Sequence, residues 1–288
     1  MVNKANKNTQ QIEYWNGAAG VSWSERDDEM DAMLRPLGET AIDRAAPVSG
    51  ESVLDIGCGC GATTLLLADR VGEQGAVLGV DISGPMLMLA RSKIGLGQTS
   101  GQADVAFVQA DASAHDFPVA TYDLLFSRFG VMFFDDPAAA FANMRKALKP
   151  GGRLTFLCWG PMQENEWITL PMREAMALLP APQPMDPRDP GPFAFSDTRY
   201  VKQILSDAGF HDIHVEATSP VMKMGRGRSI EQMAEFFMDL GPVSRALQGQ
   251  EEHLRSTVRD VIVNAIKDRY IDGVLELNAQ CRVVMANN

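Results

Sequence analysis

The sequence lacks the features that mark a disulfide-stabilised, zinc-binding or membrane-spanning protein. It contains four cysteines, no two of them spaced as C-x-x-C, and Cys58 and Cys60 share one glycine-rich stretch. This pattern favours reduced thiols in a cytoplasmic protein over a disulfide framework or a zinc site. No apolar run approaches the roughly 20 residues of a membrane span, and the polar segment 1–11 lacks the apolar core of a signal peptide. We therefore expect a soluble, cytoplasmic protein that needs no metal.

Positive charge is also scarce. The 26 lysines and arginines are outnumbered by 37 aspartates and glutamates, which gives a formal net charge of −11. Nucleic-acid phosphates are bound through basic patches, and none is visible, so we expect no nucleic-acid substrate. A small molecule is the expected partner, and a cationic protein partner stays open as an alternative.

The chain is organised around the glycine-rich stretch 53–61, which reads Val-Leu-Asp-Ile-Gly-Cys-Gly-Cys-Gly. It predicts a buried strand over 52–56, a tight turn, and a helix that begins near Ala62. The glycines have no Cβ, so the backbone of the turn can come into contact with a ligand. The N-terminus of the following helix offers unpaired N–H groups and a partial positive charge. The turn therefore suits the polar or anionic end of a nucleotide-like cofactor.

Strands and helices alternate along the first half of the chain. Further strands are predicted over 77–80, 105–109, 123–127, 153–158, 211–217 and 280–285, and helices over 83–94, with Ser83 as cap, and 137–148. This alternation predicts a Rossmann-like, doubly wound α/β fold, with a mainly parallel seven-stranded sheet and helical cap insertions.

The N-terminal region precedes this alternation. Residues 1–10 are polar, and we expect them to be loose. The aromatic stretch 11–23 is either a packing arm over the core or a gate over the cofactor, with two tryptophans to cover the site. From 27 to 46 the apolar spacing is helical, and Pro36 and Gly38 are expected to divide this segment into two helices.

We expect a single domain over residues 1–288. Its parts are a core over 47–158, 198–220 and 274–287, an N-terminal arm with helices over 1–46, and a helical cap over 159–197 and 221–273. After residue 158, helices are predicted over 165–179, 197–208, 230–240 and 251–270, with a proline-rich loop over 180–192. The cap is expected to lie over the carboxyl edge of the sheet.

The ends of the first three strands carry the residues expected to bind a ligand. Gly57, Asp81 and Asp111 stand at these ends, and ligands of open parallel sheets bind beyond the carboxyl ends of the strands. Asp81 can accept hydrogen bonds from both hydroxyls of a ribose, and Asp111 can accept one from the amino group of adenine. Ile82 and Met86 are placed to sandwich an adenine ring.

A dinucleotide-binding fold is the alternative. The glycine turn satisfies the G-x-G-x-x-G/A fingerprint from Gly57 onwards, and Asp81 follows about 20 residues later, as that fingerprint asks. Three features oppose it: Asp55 within the strand, Asp111 after the third strand, and the turn Lys-Pro-Gly-Gly-Arg-Leu over 149–154. An NAD(P)-dependent oxidoreductase is therefore the second hypothesis.

Five stretches together resemble the class I S-adenosylmethionine-dependent methyltransferases, above all the group that includes the ubiquinone/menaquinone-biosynthesis C-methyltransferases and many small-molecule methyltransferases. They are 53–61, Gly-Val-Asp-Ile-Ser (79–83), Gln-Ala-Asp-Ala (109–112), Tyr-Asp-Leu (122–124) and Leu-Lys-Pro-Gly-Gly (148–152). The resemblance is specific over 50–158, looser at Tyr14-Trp15 and at the closing strand, and weak across the cap.

The resemblance implies S-adenosylmethionine as the cofactor and S-adenosylhomocysteine as its product. The implied cofactor-binding residues are Asp55, Gly57, Cys58, Gly59, Gly61, Asp81, Ile82, Met86, Asp111, Ala112, Ser127, Arg128 and Phe129, to which we add Trp23 of the N-terminal stretch. Asp55 would help to hold the ammonium group, the Ala112 amide would contact adenine, and Ser127 to Phe129 would lie near the methionine part and the transferred methyl. Arg128 is alternatively a salt-bridged surface residue.

The implied reaction is methyl transfer to a small organic acceptor by in-line displacement. A sulfonium is already activated, so orientation and exclusion of water suffice, and we assign no catalytic residue. His115 is the histidine nearest to the predicted site and is more simply a loop residue. A protein that binds the cofactor without catalysis is a third hypothesis, and a homodimer is left open.

One apolar group of the predicted cap bears on the acceptor. It consists of Met222, Met224, Met233, Phe236, Phe237 and Met238. Methionines adapt to irregular ligands, which would favour an apolar or aromatic acceptor, but such a group is more often plain core.

Overall fold

A computed structural model describes residues 5–94, 103–180, 186–239 and 241–288. The helices in chain order are α1 (Ala5–Asn16), α2 (Ala18–Glu25), α3 (Asp27–Ala45), α4 (Ala62–Val71), α5 (Gly84–Lys93), α6 (Pro137–Arg145), α7 (Glu166–Met176), α8 (Thr198–Asp207), α9 (Ile230–Met238), α10 (Gly241–Leu247) and α11 (Glu252–Ile266). The strands are β1 (Ser52–Ile56), β2 (Ala76–Asp81), β3 (Asp104–Gln109), β4 (Tyr122–Arg128), β5 (Leu148–Trp159), β6 (His211–Thr218), β7 (Val221–Met224), β8 (Tyr270–Ile271), β9 (Val274–Asn278) and β10 (Cys281–Asn287).

The chain forms two compact units. The first comprises Met1–Trp159, Arg188–Thr218 and Arg282–Asn288, and the second comprises Gly160–Pro187 and Ser219–Cys281. The single-domain organisation, with a cap over the carboxyl edge of the sheet, stays a prediction.

The main sheet has seven strands in the order β3-β2-β1-β4-β5-β10-β6. Four neighbouring pairs are parallel: β1 with β2, β1 with β4, β2 with β3, and β4 with β5. The central strands form because their side chains are apolar on both faces, and Val53, Leu54, Leu124 and Leu125 have no exposed surface. The predicted α/β fold with a mainly parallel seven-stranded sheet is confirmed. Its strand order reverses between β1 and β4, which places the topological switch point beside the glycine turn.

The predicted break of α3 is wrong, because the helix runs without interruption from Asp27 to Ala45 with Pro36 inside it. An internal proline costs about 3 kcal/mol. Leu34, Leu37 and Ile42 on the same helix are at most 4% exposed, and each such burial contributes about 1.5–3 kcal/mol. The apolar face of the helix therefore outweighs the proline.

The N-terminal region is more ordered than expected. Residues 5–10 belong to α1, so the expectation of a loose segment is wrong for them, and residues 1–4 lie outside the described part. The aromatic stretch 11–23 forms the end of α1 and most of α2.

The second unit contains a small sheet that was not predicted from the sequence. Its order is β7-β9-β8, and both pairs are antiparallel. The helix predicted to reach residue 270 ends at Ile266. Asp272 and Gly273 both have positive φ, +51° and +76°, in the two-residue loop between β8 and β9. An Asp-Gly pair is a strong hairpin signal, and it explains this sheet.

Two of the predicted proline-loop residues, Pro182 and Pro184, lie outside the described residues. Within the described ranges, no helix has both the length and the apolarity to cross a membrane. The cytoplasmic location stays a prediction.

Candidate cofactor-binding site

The glycine turn after β1 is tightly packed. Gly57, Gly59 and Gly61 have φ values of +66°, +55° and +83°, a region that L side chains rarely adopt. A Cβ at Gly57 would lie 2.6 Å from the Gly130 Cα, and one at Gly59 would lie 2.8 Å from the Met86 Cε. The positive φ values and the close neighbouring atoms therefore require glycine at these positions. This requirement is additional to the predicted contact of the turn with a ligand.

Asp81 is bound to this turn. Its Oδ2 accepts a hydrogen bond from the Gly59 N–H at 2.8 Å, and its Oδ1 accepts one from the Ser83 N–H at 2.8 Å. Burial raises the pKa of the Asp81 carboxyl, and these two bonds act in the opposite direction. Each carboxylate oxygen has a second lone pair, so Asp81 can still accept hydrogen bonds from hydroxyl groups.

Asp55 is fully buried in the middle of the site. Its Oδ2 accepts hydrogen bonds from the hydroxyls of Thr63, at 2.8 Å, and Thr64, at 2.7 Å. Within the described part of the chain its Oδ1 is buried and has no hydrogen-bond partner. Burial raises the pKa of Asp55 to about 6, against the effect of both threonines and of Arg128. The carboxyl therefore has an unused acceptor that fits a cationic donor such as an ammonium group.

The segment after β4 lies next to the turn. The buried Ser127 Oγ accepts a hydrogen bond from the Gly130 N–H at 3.2 Å. Phe129 has a φ of +61° and stacks on Trp159 with 4.2 Å between ring centroids. Arg128 lies 3.5 Å from Asp31 and its side chain is only 13% exposed. It is ion-paired, as one interpretation held, but it is not a surface residue.

The residues expected to contact adenine are found around the ends of β2 and β3. The Asp111 Oδ1 accepts hydrogen bonds from the Ser113 N–H, at 3.0 Å, and the Ser113 hydroxyl, at 2.7 Å. Asn143 of α6 donates to the carbonyls of Ala112 and His115 and connects this loop to α6. Ile82 is half-buried, whereas Met86 is buried against the turn.

The N-terminal helices are attached to the same region. Asn16 Nδ2 donates to the Ile82 carbonyl at 2.9 Å, and Asn16 Oδ1 accepts from the Gly84 N–H at 2.9 Å. Trp15 contacts Trp23 and Phe133 edge-on, with centroids 6.1 Å and 5.4 Å apart. The tryptophans were predicted to cover the site, whereas Asn16 was not among the predicted residues. Its only signal in the sequence is its position between Trp15 and a helix-breaking glycine.

The two cysteines of the glycine turn are buried. The Cys58 side chain packs with Leu87, Ala90 and Phe107, and burial raises its pKa well above the usual range. Burial likewise raises the pKa of Cys60 to about 12. Neither thiol is therefore suited to act as a nucleophile.

The methionine and aromatic group at 222–238 lies in the interior of the second unit, where all six side chains are at most 6% exposed. This favours the interpretation as core. Among the described residues, no three His, Cys, Asp or Glu side chains are grouped as metal ligands, and the expectation of no metal stays a prediction.

Comparisons with known proteins identify the family. Residues 53–152 match a family model described as a methyltransferase domain. The ubiquinone/menaquinone biosynthesis C-methyltransferase UbiE of Cronobacter sakazakii is 30% identical over 200 residues, which cover 65% of this chain and 77% of that protein. The chain belongs to the class I S-adenosylmethionine-dependent methyltransferases.

One further relative agrees with this methyltransferase assignment, and one solved structure shares the fold. The aklanonic acid methyltransferase DauC of a Streptomyces species is 37% identical over 121 residues, which cover 42% of this chain and 54% of that protein. A structure of Haemonchus contortus phosphoethanolamine N-methyltransferase 2, solved in complex with S-adenosyl-L-methionine, has a TM-score of 0.53 and 20% identity. It covers 88% of this chain and 52% of its own chain, and shows the shared fold. The chain thus spans about half the length of these two proteins.

Proposed function

We propose that this methyltransferase transfers the methyl group of S-adenosylmethionine to a small, apolar or aromatic organic acceptor by in-line displacement, releasing S-adenosylhomocysteine. The observation that carries the proposal is Asp55, a fully buried carboxyl with one unused oxygen at the switch point of the sheet. A buried acceptor without a partner is costly, and the ammonium group of a bound cofactor would supply the missing donor.

The other strand ends would hold the rest of the cofactor. Asp81, fixed by the N–H groups of Gly59 and Ser83, would accept hydrogen bonds from the ribose hydroxyls. Asp111 and the Ala112 amide would contact adenine, with Ile82 against the ring. The backbone of the glycine turn would lie along the methionine part.

The protein's contribution to the chemistry would be orientation. The bound cofactor supplies a methyl group that its sulfonium already activates. Holding two reactants in line accounts for roughly 7–11 kcal/mol of barrier lowering in favourable systems. The site would therefore act by positioning the acceptor and excluding water, and no side chain is assigned as a general base.

Two observations support an apolar or aromatic acceptor. Phe129 and Trp159 stack on each other at the carboxyl ends of β4 and β5. Trp159 is buried and Phe129 half-buried, so the Phe129 ring would supply the aromatic surface for a planar or apolar acceptor. The names of the relatives, an aklanonic acid methyltransferase and a C-methyltransferase of ubiquinone/menaquinone biosynthesis, point to small organic molecules.

Calorimetry tests the proposal directly. S-adenosylhomocysteine, NAD and NADP are titrated into the wild-type protein and into Asp81→Ala. The matched control is Asp104→Ala, which changes an exposed aspartate at the amino end of β3. We expect binding of S-adenosylhomocysteine alone, weakened roughly 10- to 100-fold by Asp81→Ala and unchanged in the control. No binding, or binding of a nicotinamide cofactor alone, would contradict the proposal. A mass-spectrometric screen of acceptors then detects the methylated product.

A further inference from the structure

The two N-terminal helices contact the chain on both sides of the glycine turn. The Trp15 carbonyl accepts a hydrogen bond from the Ser83 hydroxyl, just after β2, at 2.7 Å. The Trp15 ring lies edge-on against Phe133, in the segment after β4, with 5.4 Å between ring centroids. Because β1 lies between β2 and β4 in the sheet, Trp15 lies across the end of β1. We therefore call α1 and α2 together, residues 5–25, the strap.

Asn16 connects the strap to the ends of β2 and β3. Its Nδ2 donates to the Ile82 carbonyl at 2.9 Å, and its Oδ1 accepts from the Gly84 N–H at 2.9 Å. The Gln109 Nε2, at the end of β3, donates to the same Oδ1 at 3.2 Å. One asparagine thus closes the strap over the strand ends where the adenosine part of the cofactor would bind.

The second helix of the strap packs closely on the same place. A Cβ at Gly20 would lie 2.6 Å from the Ser83 Oγ, so only a glycine allows this approach. The Ser83 N–H in turn donates to the Asp81 carboxylate at 2.8 Å. The strap therefore rests on the residue that fixes the carboxylate proposed to bind the ribose.

The strap buries little of its own surface. Among its described side chains, over residues 9–25, Gly20 is the sole buried residue, whereas seven residues of α3 are buried. Segments with few buried contacts open at a lower free-energy cost than the core does. The strap should therefore separate from the sheet while α3 stays packed.

The joint between the strap and α3 is firmly held on the α3 side. Arg26, between α2 and α3, has φ −106° and ψ 17°. The next residue, Asp27, accepts from the Lys93 Nζ at 2.5 Å, and the same Nζ donates to the Cys60 carbonyl of the glycine turn at 3.0 Å. Such charge-assisted bonds are about twice as strong as the neutral bonds made by Trp15 and Asn16. Opening should therefore begin at Asn16 and pivot at Arg26.

We propose that the strap opens about Arg26 to admit and release the cofactor, while the pair of Asp27 and Lys93 holds the start of α3 in place. A cofactor bound at Asp55 and Asp81 lies beneath the strap, so its exchange requires the bonds of Asn16 to break. This inference rests on the proposed function, since it takes S-adenosylmethionine and S-adenosylhomocysteine as the ligands. It adds the step that controls their exchange.

The test locks the strap with a disulfide in the double variant Asn16→Cys/Gly84→Cys. A Cβ at Gly84 would lie 3.3 Å from the Asn16 Oδ1, two bonds from the Asn16 Cβ, which brings the two positions near the Cβ separation of disulfides. The native cysteines are buried, and Asn16→Cys alone, treated with the same oxidant, is the matched control. Stopped-flow tryptophan fluorescence measures the association and dissociation rates of S-adenosylhomocysteine, with Trp15 and Trp23 of the strap as reporters.

We expect oxidation of the double variant to lower both rate constants by roughly 10-fold or more, because binding that needs a conformational change is slowed when that change is blocked. Reduction with dithiothreitol should restore both rates, and the single variant should not respond to the oxidant. Equal rates in the oxidised and reduced double variant would overturn the proposal, since helices with a merely structural role need not move for exchange.

Hydrogen exchange of the wild-type protein decides the question if the disulfide does not form. In the free protein, amides over 9–25 should exchange roughly 10-fold or more faster than those over 33–45, and S-adenosylhomocysteine should slow them by a similar factor. Equal protection of the two segments, or no effect of the ligand, would contradict the opening of the strap.

One further result separates this inference from its premise. Wild-type protein that does not bind S-adenosylhomocysteine would contradict the proposed function itself. Binding at rates that the disulfide does not change would contradict only the role of the strap.

Discussion

Two carboxylates, the partly exposed Glu166 of the second unit and the fully buried Asp55 of the first, differ in how many hydrogen-bond donors they receive. Glu166 of the second unit accepts hydrogen bonds from Arg269, at 2.8 Å and 3.1 Å, and from the backbone and side chain of Asn278, at 2.9 Å and 2.8 Å. These bonds hold the pKa of Glu166 below its usual value. Asp55 of the first unit receives two threonine hydroxyls, keeps one oxygen unused, and has its pKa raised to about 6 by burial.

The difference distinguishes a structural carboxylate from one that is available to a ligand. All the donors that Glu166 needs come from its own unit, so its charge stabilises the fold. Asp55 is removed from water and receives too few hydrogen bonds to compensate. Its negative charge therefore destabilises the free protein, and a bound cationic group would reduce this cost. Chemically matched substitutions in the two units test this distinction.

The largest effect is expected for Gly57→Ala. The new Cβ would meet the Gly130 backbone at 2.6 Å and hold a φ of +66°, which together should lower the free energy of unfolding by about 2–5 kcal/mol and abolish binding of S-adenosylhomocysteine. Gly227→Ala is the control, because Gly227 has a φ of +83° and an added Cβ would meet no atom beyond its chain neighbours within 4 Å. It should cost only about 1 kcal/mol. Urea denaturation gives both values, and equal losses would show that packing around the turn is unimportant.

The next largest effects are expected for Asp55→Asn and Glu166→Gln, which should change the free energy of unfolding in opposite directions. The pKa of Asp55 rises from 3.8 to about 6 on folding, so its destabilising contribution is absent below pH 3.8, grows between pH 3.8 and 6, and is complete above. At pH 7.5, Asp55→Asn should therefore stabilise the free protein, by about 1–3 kcal/mol.

The pKa of Glu166 is lowered from 4.5, so its stabilisation is complete above pH 4.5 and is lost as the pH falls through the folded-state value. Glu166→Gln should cost about 1 kcal/mol at pH 7.5, a modest figure because the side chain is 32% exposed. Denaturation at pH 7.5 and pH 4 measures both variants. If Asp55→Asn and Glu166→Gln destabilised the protein by similar amounts, the distinction between a ligand-binding and a structural carboxylate would be contradicted.

The smallest effect is expected for Asn16→Ala. The asparagine side chain connects α1 to the Ile82 carbonyl and the Gly84 N–H, and its loss should weaken binding of S-adenosylhomocysteine by about 2- to 10-fold and expose the N-terminal helices to protease. Asn264 of the second unit donates only to a carbonyl of its own helix, so Asn264→Ala should change neither. Unaltered affinity and proteolysis in Asn16→Ala would show that the N-terminal helices are a packing arm without influence on the site.

Local sequence patterns predicted most of the main sheet. Three of these features depend only on residues close in sequence: the glycine turn, the alternation of strands and helices, and the N-cap of α5. The N-cap prediction is confirmed, because the Ser83 side chain accepts a hydrogen bond from the Met86 N–H. The predicted break at Pro36 was wrong because the prediction considered only the local cost of a proline within a helix. It did not include the free energy gained by burying the apolar face of α3. The Asp272-Gly273 hairpin was readable from sequence and was overlooked.

The site could be predicted only in part, for a physical reason. Asp55, Asp81 and Asp111 follow strands, and parallel strands bring their carboxyl ends to one edge. The neighbours of the Arg128 side chain include Asp31, its ion-pair partner, and Gly38. Both belong to α3, some ninety residues earlier in the chain. No periodicity links such distant positions, so the burial of Arg128 and its ion pair with Asp31 emerge only from the fold.

The most direct test is the affinity for S-adenosylhomocysteine between pH 5 and pH 8, measured by calorimetry in wild-type protein and in Asp55→Asn. Because the pKa of Asp55 is about 6 in the free protein, the wild-type affinity should rise as the pH increases through 6, by up to about tenfold per unit below it, and then level off. Asp55→Asn should lose most of this rise while it keeps its fold. An equal rise in both proteins, or none in the wild type, would contradict the claim that the unused oxygen of Asp55 awaits the cofactor.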